Sequence, residues 1–309
     1  MEYTPFGRTG IRVSKLGLGG APLGGDFGPV TDEQVTQIIE MALELGINFI
    51  DTAPLYGKGE SERRIGIALR GKRENVVLAS KAVMRGETYS YENTIRSVES
   101  SLKRLGTDYL DLIQMHELDE SNAEIGMNET VPAFLKLKEQ GKVRAIGVNA
   151  ANPALLLPFI RSGLIDSVQT FTRYMLIDYS AMDELLPAAR SHHVAVINGS
   201  VLGMGLLSDA PAPFLLGNQA LMEEAERRIQ AVSFLRKTEQ KGLIEPAMRF
   251  SLSSPDIAVT LTGTTSLRSL SLNASYCDGH GLSDEEMCQL LSLFQGRPLS
   301  WKKEMKDHG

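Results

Sequence analysis

The 309-residue chain carries 32 Lys and Arg against 38 Asp and Glu, a net charge of −6. That balance argues against nucleic acid or an anionic membrane surface as a partner, and no apolar run reaches the roughly 20 residues of a membrane-spanning helix. The two cysteines, Cys277 and Cys288, form no CxxC motif or Cys/His cluster, so no structural metal is expected and a reduced cytoplasmic compartment is the simplest reading; residues 1–5 show no charged-then-apolar signal pattern.

Taken in order, residues 3–14 carry Gly7 and Gly10 between short strand-like pieces and predict a small hairpin. Residues 16–19 predict a glycine-rich first core strand. Thr31 with Gln34 is a capping-box pattern that opens a helix, in which Val35, Ile38, Ile39 and Ala42 recur at helical spacing before Gly46. The apolar residues 47–50 then end in Asp51, and Tyr56 and Gly57 follow in a turn. The same beat repeats. A helix near 61–69 leads to a strand at 75–79 and to Lys81, and a helix at Tyr91–Leu105 leads to a strand at 109–115 and to His116. A helix at about 129–140 precedes a strand at 143–148 that ends at Asn149. Helices at 153–161 and 181–191 flank strands at 167–169 and 194–197. Residues 198–217 show no periodicity and are too long for an ordinary connection, so they are expected to be a loop over a site. Helices at 221–237 and 246–252, a strand at 257–261, a helix at 267–276 and a capped helix from Ser283 complete the chain.

Eight strands each followed by helical sequence predict an α/β fold, a (β/α)8 TIM barrel formed by residues 1–309 as one domain. Asp51 and Lys81 are 30 positions apart, and Lys81 and His116 are 35 apart, close to the roughly 31 residues of one barrel unit. Successive strand ends therefore sit side by side on the C-terminal rim, where such barrels place their active sites. A doubly wound dinucleotide fold fails twice. The third glycine of its fingerprint falls at Pro22, and Asp51 comes 32 residues after Gly19, where that fold needs an acid after about 20.

Each of the four rim residues has an ordinary explanation alone. Asp51 could cap a helix, Tyr56 could be a packed loop aromatic, Lys81 could be solvated, and His116 could be a core histidine. At successive strand ends they make a proton-transfer set. A free tyrosine titrates near 10, and an adjacent ammonium favours its phenolate by about 1–3 units. Lys81 is the expected ammonium, Asp51 its partner, Tyr56 the general acid/base, and His116 a hydrogen-bonding guide for the reacting oxygen. The set moves a proton but no electrons, so a hydride carrier is implied and the expected chemistry is nicotinamide-dependent interconversion of carbonyl and alcohol. His192 and His193 fall on the opposite rim, the 221–237 helix reads as a solvated face with intrahelical pairs, and Asp108 and Asp111 read as capping or solvated.

At these residues the sequence resembles the aldo-keto reductase superfamily over nearly its whole length. The matching stretches are residues 46–57 (GINFIDTAPLYG), 59–62, 102–112 (LKRLGTDYLDL), 139–148 (EQGKVRAIGV) and 263–266 with Asn273. The resemblance implies a barrel with an N-terminal hairpin plug and extra C-terminal helices, and a tetrad of Asp51, Tyr56, Lys81 and His116. It places Gln169 on the nicotinamide amide, and Ser200, Leu202 and Gly205 along the cofactor phosphates. Gly263, Thr264, Ser266 and Asn273 fall at the adenosine end. Asn149 stands where the family usually has serine and Ala150 where it has asparagine, while Gly199 replaces an aromatic. The arginine that often grips a 2′-phosphate falls at Ser269, beside Arg268, so the expected cofactor is NAD or NADP with the balance toward NAD.

Within the superfamily, residues 21–30, 129–138 and 204–207 are most similar to the L-galactose and L-fucose (D-threo-aldose) 1-dehydrogenases. That implies oxidation of a sugar's anomeric hydroxyl to a lactone by a monomer or small homo-oligomer, with Arg173, Asn198 and Asp26 as candidate sugar contacts. A general aldehyde or ketone reductase acting on a non-sugar such as a pyridine aldehyde is the same-fold alternative. A cofactor-binding regulatory subunit without turnover is the different-class alternative.

Overall fold

In the computed structural model, which describes residues 1–83, 86–237 and 242–300, the chain opens with an antiparallel hairpin of β1 (Tyr3–Pro5) and β2 (Arg12–Ser14). Eight parallel strands then close into a barrel. They are β3 (Leu16–Gly19), β4 (Phe49–Asp51), β5 (Val77–Ala82), β6 (Leu110–Met115), β7 (Val143–Ala150), β8 (Ser167–Phe171), β9 (Ala195–Gly199) and β10 (Val259–Thr262), with β10 pairing back onto β3. This is a (β/α)8 barrel.

The helices follow in chain order. A short α1 (Ala21–Gly24) precedes α2 (Asp32–Glu44), α3 (Glu60–Ala68), α4 (Tyr91–Leu105), α5 (Ala123–Ile125) and α6 (Val131–Glu139). Then come α7 (Leu157–Ser162), α8 (Leu185–Ser191), α9 (Gln219–Ala231), α10 (Ile244–Leu252), α11 (Leu267–Ser275) and α12 (Asp284–Phe294). The expected starts hold where side chains satisfy the first free N–H groups. Thr31 and Gln34 form the capping box of α2, Ser283 and Glu286 that of α12, and Ser90 caps α4. Gly106 ends α4 in the left-handed conformation that glycine adopts without strain. The helix expected from about residue 129 starts earlier, as α5, and runs through π-helical turns at Gly126–Thr130 into α6.

Alternation along each strand separates two apolar regions. Outward residues such as Ile50, Leu78, Ile113, Ile146 and Val168 pack under the helices. Inward residues Phe49, Val77, Ala79, Leu112, Ala145, Ile197, Val259 and Leu261 fill the barrel and meet Phe6, Ile11 and Val13 of the hairpin, which plugs its floor. Gly17 is needed for that closeness, because a Cβ there would stand 2.7 Å from the Val259 side chain. Above this apolar floor the inward positions turn polar, and the registers Lys81↔Gln114 and Asn149↔Gln169 bring those positions to similar heights near the C-terminal mouth.

Several expected boundaries shift. β4 and β5 extend through Asp51 and Lys81, which are ladder residues and not the residues just past a strand. Asp111, expected at the surface, is buried and accepts hydrogen bonds from Arg73 (2.7 Å), Arg144 (2.6 Å) and the Leu78 N–H (2.9 Å). The solvated helix expected over 221–237 is shorter, and its Arg228 is buried, stacked on Phe294 and donating to the carbonyls of Ile177 and Arg297. Residues 301–309 of the expected single unit lie outside the described residues.

Candidate active site

β4 and β5 bring Asp51 and Lys81 to the barrel mouth. The Lys81 ammonium, fully buried, donates to Asp51 Oδ2 at 2.6 Å, to the Thr52 carbonyl at 3.0 Å and to Tyr56 Oη at 3.3 Å. All three N–H groups of that ammonium are therefore used. Tyr56 opens a 3₁₀ turn, Tyr56–Gly59, that brings the phenol back over the barrel. The turn depends on Gly57, which has φ +57° and whose missing Cβ would stand 2.2 Å from the Gly24 carbonyl. Its N–H donates to both oxygens of Asp26 at 3.1 and 3.2 Å, so the carboxylate braces the residue next to the phenol.

His116 follows β6, nearly buried, with its ring edge-on to Tyr56 at a centroid distance of 5.8 Å. Two neighbours fix its backbone. The Tyr89 hydroxyl donates to the His116 carbonyl, and the Tyr89 carbonyl is held by Thr130 Oγ1 at 2.9 Å. The next residue, Glu117, has φ +53°, and its N–H donates to Asn149 Oδ1 at 3.0 Å. The four rim residues expected from the sequence thus meet in one place.

Charge in this cluster is set by burial as much as by pairing. Burial pushes the Tyr56 phenol above its ordinary value, and the Lys81 ammonium only partly pulls it back. The net direction is upward, against the lowering expected from Lys81 alone, because the phenolate has lost its water as well as gained a cation. For Lys81 the desolvation acts downward but Asp51 and Tyr56 overcome it, so the ammonium titrates above its usual value. Burial also pushes the Asp51 carboxyl up, opposed by Lys81 and by the side-chain amides of Gln169 and Gln114. The Lys81 ammonium on Oδ2 and the Gln114 amide on Oδ1 favour the charged carboxylate, and the group stands as an ion pair beside a protonated phenol.

The positions expected to hold a dinucleotide occupy the rest of the rim, from β7 round to β10. Asn149 commits Oδ1 to the turn after His116 and leaves its amide N–H groups for a ligand. Gln169 lies in β8, nearly buried, and its Nε2 is open to the mouth because Gly199 has no side chain above it; a Cβ there would stand 3.6 Å away. After β9, Ser200 has φ +55° and Gly203 and Gly205 have φ +58° and +96°, a run of left-handed backbone. The Gly205 Cβ position is filled by the Ala210 carbonyl at 2.0 Å, so the expected site loop folds on itself. After β10, Gly263 is exposed, Thr264 Oγ1 accepts from the Ser266 N–H at 3.0 Å, and Ser266 caps α11 by accepting from Ser269 N–H. Asn273 braces Thr262 at 2.7 Å. Exposed Arg268 sits in the first turn of α11, where helix dipole and guanidinium together favour an anion. The residues fit an elongated anionic cofactor along this side.

Two of the three candidate sugar contacts are structural. Arg173 donates to the carbonyls of Ala151 and Leu299 and pairs with Asp178 at 3.1 Å. Asn198 points away from the barrel interior and donates to the Tyr174 carbonyl and Ser251 Oγ. Asp26 stays at the exposed mouth. Gln114 and Tyr89 were missed. Gln114 was legible, as a polar residue in an apolar strand two positions before His116 and so on the same face. Tyr89 acts through a backbone carbonyl, which no sequence spacing reports.

A model of the Aldo/keto reductase family matches residues 15–294. L-galactose dehydrogenase from Arabidopsis thaliana is 30% identical across 97% of this chain and 97% of its own. D-threo-aldose 1-dehydrogenase from a Pseudomonas species is 28% identical across 86% of this chain and 90% of its own. Among solved structures, the holo form of an aldo-keto reductase from Bacillus halodurans superposes with a TM-score of 0.80 at 26% identity, covering 98% of this chain and 99% of that one.

Proposed function

The chain belongs to the aldo/keto reductase family and is an NAD(P)-dependent oxidoreductase, and from that premise we propose that it oxidises the anomeric hydroxyl of an aldose to the lactone. The observation that carries the chemistry is the single contact set around Lys81, which joins Asp51, Tyr56 and the floor of the mouth. The sugar reading is supported by two sugar-dehydrogenase relatives that match most of the chain and by the Asp26 carboxylate at the mouth beside Tyr56.

The nicotinamide, when bound, supplies the hydride acceptor. Tyr56 Oη exchanges the hydroxyl proton with the substrate. Lys81 stabilises the negative charge that develops on this phenol when it is without its proton, and Asp51 fixes the lysine in place. His116, edge-on to Tyr56, orients the substrate oxygen toward the phenol. Ser269 in place of a 2′-phosphate-gripping arginine favours NAD over NADP.

The test is a panel of aldoses, aliphatic and pyridine aldehydes and ketones assayed with both cofactors, following the absorbance of reduced nicotinamide. The expected result is fastest oxidation for an aldose of L-galactose or L-fucose type. Turnover confined to non-sugar carbonyls would replace the sugar reading with a general reductase. Cofactor binding with no turnover on any class would make the chain a regulatory subunit.

A further inference from the structure

Gln114 lies beneath both halves of the site and belongs to neither. Its side chain comes from β6, directly opposite Gly147 of β7 in the ladder. A Cβ at Gly147 would stand 3.2 Å from Gln114 Cγ, so the glycine makes room for the side chain. The amide Nε2 donates twice, to Asp51 Oδ1 at 3.3 Å and to Gln169 Oε1 at 2.9 Å. Both of its protons are therefore used. Its Oε1 is buried without a hydrogen-bond partner among the described residues.

That imbalance is informative. A buried acceptor left unpaired is a cost that a leucine or methionine at the same place would not carry. Packing therefore does not account for the glutamine; its NH2 group does. The Asp51 carboxylate sets this orientation, since the opposite one would aim Oε1 at an oxygen that can only accept. With Gln114 fixed, Gln169 is fixed too. Its Oε1 is occupied from below, which turns its Nε2 toward the mouth, where Gly199 leaves room for it.

We propose that Gln114 is a positioning residue that locks the Gln169 amide with its nitrogen toward the mouth, so that the site offers the cofactor's carboxamide a donor and never an acceptor. The inference rests on the reading of the rim as a nicotinamide site. It adds that the carboxamide is gripped through its carbonyl oxygen, and that the same side chain ties this grip to the Asp51–Lys81 pair.

The test uses the whole protein and two cofactor forms, NAD and its 3-acetylpyridine analogue, which keeps the carbonyl oxygen and lacks the amide N–H groups. Dissociation constants are measured for wild type, Gln114→Met, Gln169→Met and the double variant, with thermal melting to confirm that each is folded. Wild type binds the two forms equally, within about threefold. In Gln114→Met the freed Gln169 amide also presents its oxygen, and preference for NAD over the analogue rises by about tenfold, the scale of one gained hydrogen bond. In the Gln169→Met background, Gln114→Met changes the preference by less than about twofold, because there is no amide left to orient. An unchanged preference in a folded Gln114→Met protein overturns the proposal and leaves the nicotinamide reading intact. Failure of wild type to bind either form overturns both.

Discussion

The rim divides into two arcs with opposite character. The arc over β4, β5 and β6 holds Asp51, Tyr56, Lys81 and His116, and is nearly closed before any ligand arrives. Its lysine has no donor to spare, and its carboxylate takes N–H bonds on both oxygens, from Lys81 and Gln114. The arc from β7 to β10 is open. Gly199 leaves Gln169 uncovered, the backbone is left-handed at Ser200 and again at residues 203–205, and Ser266 and Arg268 are exposed. Proton transfer needs groups held within fractions of an ångström, so the first arc is prepared by the protein alone. Binding a long anionic ligand needs donors that are not already committed, so the second arc keeps them free. The two arcs meet through Gln114, which bonds one residue of each.

If the first arc acts only on the proton, Tyr56→Phe separates the arcs cleanly. Turnover is expected to fall by about 10²–10⁴-fold, the usual contribution of a general acid/base. Dissociation constants for the cofactor should stay within about twofold, because the phenol lies on the other arc. Steady-state kinetics and a fluorescence titration on the same preparation check both halves. Near-normal turnover would remove Tyr56 from the mechanism, and lost cofactor binding would show that the arcs are one.

Lys81→Met probes the closed arc from inside. Removing one partner of a buried pair leaves Asp51 charged and unmatched, which costs on the order of 3–5 kcal/mol of stability by thermal or denaturant unfolding. The pH profile gives the sharper measurement. Burial already holds the Tyr56 phenol above its ordinary value, so the proton stays on at neutral pH. Oxidation needs the phenol to accept a proton and should therefore rise toward alkaline pH. Reduction needs the proton present and should be flat through neutrality and fall at alkaline pH. Lys81 pulls the phenol downward, so its loss should move both limbs to higher pH. Limbs that stay in place would assign them to another group.

Much of this arrangement was legible, for physical reasons that also mark the limits. Helix ends were readable where a side chain caps them, as at Thr31, Ser90 and Ser283, or where glycine must turn left-handed, as at Gly106. Strand ends were read short at Lys81 and Asp51 because a charge looks like a terminus. In a barrel, an inward charge near the mouth remains in the ladder. Arg173 and Asn198 looked available for a sugar because their partners, the Leu299 carbonyl and Ser251 Oγ, lie 126 and 53 positions away. Arg228 looked solvated for the same reason. The proton-handling arc was the more legible one, since its residues recur with the barrel period, whereas the upward shift of Tyr56 depends on a burial that no spacing reveals.

The smallest expected effect falls on the open arc. Ser269 occupies the third position of α11 and gives its N–H to the Ser266 cap, leaving its side chain half-exposed beside Arg268. A hydroxyl there offers a 2′-phosphate one neutral hydrogen bond, where a guanidinium offers two charged ones. Ser269→Arg keeps the capping N–H, which belongs to the backbone, so α11 should be undisturbed. The variant is expected to shift the ratio of NADP to NAD affinity by about tenfold toward NADP, roughly 1.4 kcal/mol, with turnover on saturating cofactor unchanged. Titrations at two salt concentrations check the cause, because an added charge pair at an exposed site weakens as salt rises. A wild-type protein that already binds NADP far more tightly than NAD, with no gain in the variant, would assign the phosphate to Arg268 and make Ser269 a bystander. A shift that came with lost turnover would mean that the open arc also shapes the chemistry, and the division of the rim would fail.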